Sequence, residues 1–258
     1  MTPGAPWRSK RFQQQLPTYL IGAAVAGAVV VLALQHHAIN EQTVVFFAMF
    51  IPAVILHEVS HGVMAYWCGD DTAKVAGRLT LNPIKHVDPI GSIVLPVVLA
   101  ITGAPIFGWA KPVPVSLNRL RHPRNQAVLV GLVGPATNIL LAAAAGLAFH
   151  LLVGHYPPPL TISGSSGVYD PSTFALVMQC LFYFGIVNII LATFNLIPIP
   201  PLDGSALLER LLPVSMLDGY YRIRSGLILL VMFVVLFDRG LLGSFLGNVE
   251  NWYFQRII

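Results

Sequence analysis

Residues 43–67 read TVVFFAMFIPAVILHEVSHGVMAYW, and stretches of similar character recur at about 17–35, 126–153, 173–197 and 223–247. Each is close to the roughly 20 apolar residues needed to cross a bilayer. Hydrocarbon offers no hydrogen-bond partners, so a chain that crosses it must satisfy its backbone N–H and C=O groups internally. Long continuous runs do so as helices. Only 10% of the residues are charged and 55% are hydrophobic, and the mean hydropathy is +0.72, whereas a soluble domain carries about 25% charged residues. The expectation is an all-α multi-span membrane protein, one integral-membrane domain over residues 1–258, with five to six transmembrane helices.

Segment 89–108, PIGSIVLPVVLAITGAPIFG, is short and interrupted by Pro89, Pro96, Gly103 and Pro105. Basic residues lie beside the runs: Arg8, Lys10 and Arg11 before the first, Lys74, Arg78 and Lys85 after the second, Lys111, Arg119, Arg121 and Arg124 before the third, and Arg210, Arg222 and Arg224 before the last. Placing all of them in the cytoplasm, as the positive-inside tendency asks, makes 89–108 a re-entrant or broken element; a sixth full crossing is the alternative, with one basic loop outside. The N-terminus is then cytoplasmic. Loops 36–42 and 154–172 hold no Lys or Arg and suit the outer face. The pI near 9.2 reflects these loop charges, not a nucleic-acid surface. Cys68 and Cys180 have no CxxC spacing and fall on different spans, so they imply packing, not a disulfide or thiolate site. The basic N-terminus is like that of a signal peptide, but its apolar run is too long and lacks a small-residue cleavage site, so it is expected to be retained as a span. Alternation at 74–82, and at 111–117 between prolines, predicts small β elements at the membrane surface, with irregular loops as the competing expectation.

The second run contains His57-Glu58-Val59-Ser60-His61. Residues four apart on a helix share a face, so His57 and His61 can offer two imidazole nitrogens to one ion while Glu58 reaches a ligand of that ion. Zinc prefers such nitrogen ligands, and a catalytic site keeps one position for water. Glu58 would be the general base. A shuffled chain of this composition would produce the HExxH pattern about 0.004 times, so the match is specific. Polar residues that merely support helix packing are the alternative, but ionisable groups inside a span are costly and point to function.

Another protein ligand must come from elsewhere, and Asp203 is the candidate. Asp70, Asp71 and Asp88 lie in the loop after the motif, Asp170 and Asp238 fall toward the opposite face, and Asp218 sits in a short loop. Asp203 ends an apolar run, after Pro198, Pro200 and Pro201 have stopped the helix, where a new helix starts and the carboxylate could also serve as its N-cap. At 1.5 Å per residue, His57 and His61 lie roughly 10–16 Å from the cytoplasmic end of their span, at a depth the proline turn can reach. His86 and His122, in basic loops, are expected to be solvated or lipid-facing.

HEVSH in one span and Asn195-Leu196-Ile197-Pro198-Ile199-Pro200-Pro201-Leu202-Asp203-Gly204 after a later one resemble the site-2 protease family of intramembrane zinc metalloproteases, peptidase family M50. The stretches GRLTLNPIKHVDPIGSIVLP, GWAKPVPVSL and LVGPATN are similar to its compact bacterial branch, without a PDZ or CBS domain. The resemblance implies one catalytic zinc ion bound by His57, His61 and Asp203, with Glu58 as base. It implies substrate binding by Asn195, and by Asn138 in the GPATN segment. The implied substrate is a membrane protein with a transmembrane helix, cut within or near that helix on the cytoplasmic side of the cell membrane, and a second membrane protein is a candidate regulator. The competing function is a multi-span metal transporter or sensor using the same His, Glu and Asp cluster, which would need further polar sites along a path across the bilayer.

Overall fold

The computed structural model describes residues 41–88, 91, 94–95, 99, 110–155, 171–237 and 239–256. The expected span at 17–35, most of 89–108 and most of the outer loop 154–172 lie outside the described residues.

Three long helices form the centre of the main unit: α1 (Glu41–Trp67), α3 (Pro123–His155) and α4 (Pro171–Asn195), each in contact with the other two. They contain the apolar windows Val44–Trp67, Pro123–Gly154 and Phe174–Asn195, the shortest of 22 residues. That length is about 33 Å of helix against a hydrocarbon core of about 30 Å. At most 28% of each window is buried, and Ile51, Leu129, Leu140, Leu147 and Leu176 are among the apolar side chains left exposed. Water would penalise such surface; lipid does not. The predicted spans at 43–67, 126–153 and 173–197 therefore correspond to observed helices within a few residues.

The expected span at 223–247 falls on α6 (Val214–Phe237) and α7 (Arg239–Arg256), with residue 238 between them outside the described residues. Tyr253 anchors α7. Its ring is 1% exposed beside Ala142 and Ile186, and its hydroxyl donates to Ala142 O at 2.8 Å.

The β expectation is also corrected: among the described residues there is no strand. Residues 72–75 form the short helix α2 (Thr72–Val75). The chain then turns through Arg78 N to Ala73 O at 2.9 Å, with Gly77 at φ +63°, a conformation that favours glycine. Pro83–Lys85 is a 3-10 turn capped by the Asn82 side chain. Among the described residues segment 112–116 has no ladder partner, and carboxylates accept two of its amides. Val113 N donates to Glu58 Oε2 at 2.8 Å and Ser116 N to Asp70 Oδ2 at 2.6 Å, while Pro114 has no N–H to give. Gly91 N donates to the Asp88 carboxylate at 2.8 Å.

Candidate metal centre

His57 and His61, one turn apart on α1, bring their Nε2 atoms to 3.1 Å of each other. Asp203 Oδ2 lies 3.0 Å from His57 Nε2 and 3.2 Å from His61 Nε2. The carboxylate comes from the turn after α4. That helix stops at Asn195 because Pro198, Pro200 and Pro201 cannot continue it. Gly204 N then donates back to Asn195 O at 2.7 Å, folding the turn onto the helix end. Only glycine fits there, since a Cβ on Gly204 would lie 2.4 Å from Leu196 O. The following helix, α5 (Ser205–Leu211), has Gly204 as its N-cap residue, so the Asp203 side chain is committed to the histidines and not to capping.

The other ring nitrogens are already engaged. His61 Nδ1 lies 2.6 Å from Val130 O, and His57 Nδ1 lies 2.5 Å from Asn138 Oδ1. A carbonyl oxygen can only accept, so each Nδ1 carries the proton and each Nε2 presents a lone pair. Two such lone pairs and a carboxylate oxygen then face one another in a buried site, and Asp203 Oδ2 is buried without a hydrogen-bond donor. Mutual repulsion makes this a poor arrangement without a cation and a good one with it. Nitrogen and carboxylate ligands whose outer N–H groups are held by carbonyls are what zinc sites use. The donor set fits zinc.

Helix α3 supplies the back wall through residues spaced four apart. Val130 gives its carbonyl to His61, Asn138 its amide oxygen to His57, and Gly134 between them faces the rings. The absence of a Gly134 side chain is required, since a Cβ would lie 2.5 Å from His61 Nε2. Asn138, expected to bind substrate, is 0% exposed, with its oxygen on His57 and its Nδ2 donating to Asn188 Oδ1 at 2.6 Å. In this position it holds the His57 ring. Asn188 was not predicted; an amide inside the apolar run of α4 was the available signal.

Glu58 is half-buried and accepts the Val113 amide through Oε2. Asn195 is half-buried at the end of α4, with Nδ2 donating to Leu191 O at 3.0 Å. His86 departs from expectation: it is 1% exposed and its Nε2 bonds Thr80 O at 2.8 Å. His122 is exposed, as expected.

The model of peptidase family M50 matches residues 45–237, which include all three cluster residues and Glu58. The chain belongs to peptidase family M50. Among its relatives, a Bacillus subtilis protein named "Putative zinc metalloprotease YwhC" is 40% identical over 163 residues, covering 63% of this chain and 67% of the relative. Two proteins named "Putative zinc metalloprotease Rip2" are more distant. The one from Mycolicibacterium smegmatis is 32% identical over 167 residues, 64% of this chain and 56% of its own length. The one from Mycobacterium tuberculosis is 30% identical over 190 residues, 72% and 65% respectively. The chain thus spans between 56% and 67% of the length of these relatives. No solved structure matches this M50 chain.

Proposed function

We propose that this M50 protein is an intramembrane zinc metalloprotease that hydrolyses a peptide bond within or near a transmembrane segment of a membrane-protein substrate. The observation that carries the reading is the convergence of His57 Nε2, His61 Nε2 and Asp203 Oδ2, all within 3.2 Å, between helices long and apolar enough to span a bilayer. His57, His61 and Asp203 hold the ion. When bound, zinc supplies Lewis acidity toward a peptide carbonyl and toward water, whose pKa it can lower to about 7.

Glu58, next to His57 on α1, is the proton carrier. Its Oε2 is fixed by Val113 N, which orients the carboxylate and leaves Oε1 to take the proton of the attacking water. Returned to the amide nitrogen, that proton lets the C–N bond break. Asn195, on the same turn as Asp203, offers its amide oxygen to a substrate backbone unwound from its own helix, which must find replacement hydrogen bonds in hydrocarbon. The basic loops place the N-terminus and the active-site end of the helices toward the cytoplasm.

Glu58→Gln tests this reading. The variant in membranes should lose cleavage of a transmembrane substrate while the purified protein keeps zinc. Persisting cleavage would overturn the proton-carrier role, and loss of zinc would make Glu58 a ligand instead. Zinc flux into sealed vesicles that Glu58→Gln reduces would favour the transporter reading.

A further inference from the structure

The polar atoms behind the cluster form a directed chain across three helices. His57 Nδ1–H on α1 donates to Asn138 Oδ1 on α3 at 2.5 Å, Asn138 Nδ2 to Asn188 Oδ1 on α4 at 2.6 Å, and Asn188 Nδ2 to Phe184 O at 2.8 Å. Its far end is a backbone carbonyl, which can only accept. That acceptor decides the rest. Asn188 must turn its NH₂ toward Phe184 and therefore its oxygen toward Asn138; Asn138 must then turn its NH₂ toward Asn188 and its oxygen toward His57. His57 meets an acceptor at Nδ1, keeps its proton there, and leaves Nε2 bare on the side of His61 and Asp203.

We propose that Asn188 is a positioning residue of the metal centre, acting through Asn138 to fix the His57 tautomer whose Nε2 can bind zinc. The proposal rests on the reading of His57 as a zinc ligand. Both asparagines are 0% exposed and His57 is 6% exposed, so no water replaces a lost partner, and reversing either amide would set N–H against N–H or oxygen against oxygen. Reversal of Asn138 would present its NH₂ to His57 Nδ1 and select the tautomer with a proton on Nε2, where the ion belongs. Polar pairs between membrane helices also serve as simple packing contacts. The distinguishing feature here is that this pair begins at a ligand nitrogen and has its direction set from Phe184.

The test uses the full-length protein in detergent, with zinc affinity measured by competition with a chromophoric chelator. Asn188→Leu keeps the branching and the number of heavy atoms but removes the acceptor for Asn138, and zinc affinity should fall about 10- to 100-fold, the usual effect of losing such an outer partner. Adding Asn138→Asp to Asn188→Leu supplies a carboxylate that accepts from His57 in either orientation, and affinity should recover to within a few-fold of wild type. Wild-type affinity in Asn188→Leu, or a double variant no tighter than the single, would overturn the proposal. A measurement free of substitutions accompanies these: ¹⁵N spectra of histidine-labelled, zinc-free wild type should show His57 protonated at Nδ1, and protonation at Nε2 would overturn the proposal even if the variants failed to fold. Wild type that binds zinc no better than His57→Ala would instead overturn the ligand reading itself.

Discussion

Gly134 lies against both ring ligands, for a Cβ there would lie 2.5 Å from His61 Nε2 and 2.6 Å from His57 Cε1. Alanine is the better helix former by about 1 kcal/mol, so Gly134→Ala should not unfold α3. It should push both rings off their positions, and a misplacement of about 1 Å at a catalytic centre costs on the order of 100-fold in rate. The expected outcome is a variant with wild-type helical content by circular dichroism, reduced zinc content, and cleavage lowered about 100-fold; full activity would mean the rings have room the structure does not show. At this scale much of the centre was legible. The spacing of His57 and His61 is a property of one helix, and the proline turn isolated Asp203 from the other aspartates. Gly134 and Asn188 carried no such pattern, because a glycine or an asparagine in an apolar run has many uses and only the facing helix selects one.

Among the elements, the loop after α1 and segment 112–116 depend on each other through Asp70. This carboxylate accepts from Thr72 N at 3.0 Å, from the Thr72 hydroxyl, and from Ser116 N at 2.6 Å, while 0% exposed. Burial works against its ionisation, but the bonds from Thr72 and Ser116 and the charge of Arg119 outweigh it and hold its pKa below the usual carboxylate range. A group whose folded pKa is depressed contributes stability above its unfolded value, near 3.9, and that stability is lost as pH falls through the folded value. Wild type should therefore lose stability below about pH 4, and Asp70→Asn should be less stable at neutral pH with a shallower acid limb, both read from thermal midpoints across a pH series. Asp70→Ala, which strands the donors, should cost about 3 kcal/mol. The same bonds explain why the β expectation failed. Alternation at 111–117 is real in the sequence, yet a strand needs a neighbour with free backbone groups, and here Glu58 and Asp70 claim the amides from outside any ladder. Which partner an extended segment finds is not written in its own pattern.

In the molecule as a whole, the metal centre joins α1 to the turn after α4 across the back wall of α3, so ion binding should stabilise the assembly of these helices. In detergent, zinc at about 100 times its dissociation constant should add about 2.7 kcal/mol to the folded state and raise the thermal midpoint; a chelator should reverse the shift and stop cleavage, and Asp203→Asn should greatly reduce the shift. An unchanged midpoint on zinc addition would mean that the ion does not bridge these elements. The sequence by itself determined the helical membrane architecture, three of its spans, and the candidate grouping of His57 and His61 with Asp203, because continuous apolar length and i, i+4 spacing are local quantities that hydrocarbon and helix geometry convert directly into structure. The tertiary structure alone decided that Asn138 faces His57 with Asn188 behind it and that 112–116 lies along carboxylates. Those outcomes depend on the register between helices far apart in the chain, where one turn of sliding would change every contact and leave the sequence pattern of each helix the same.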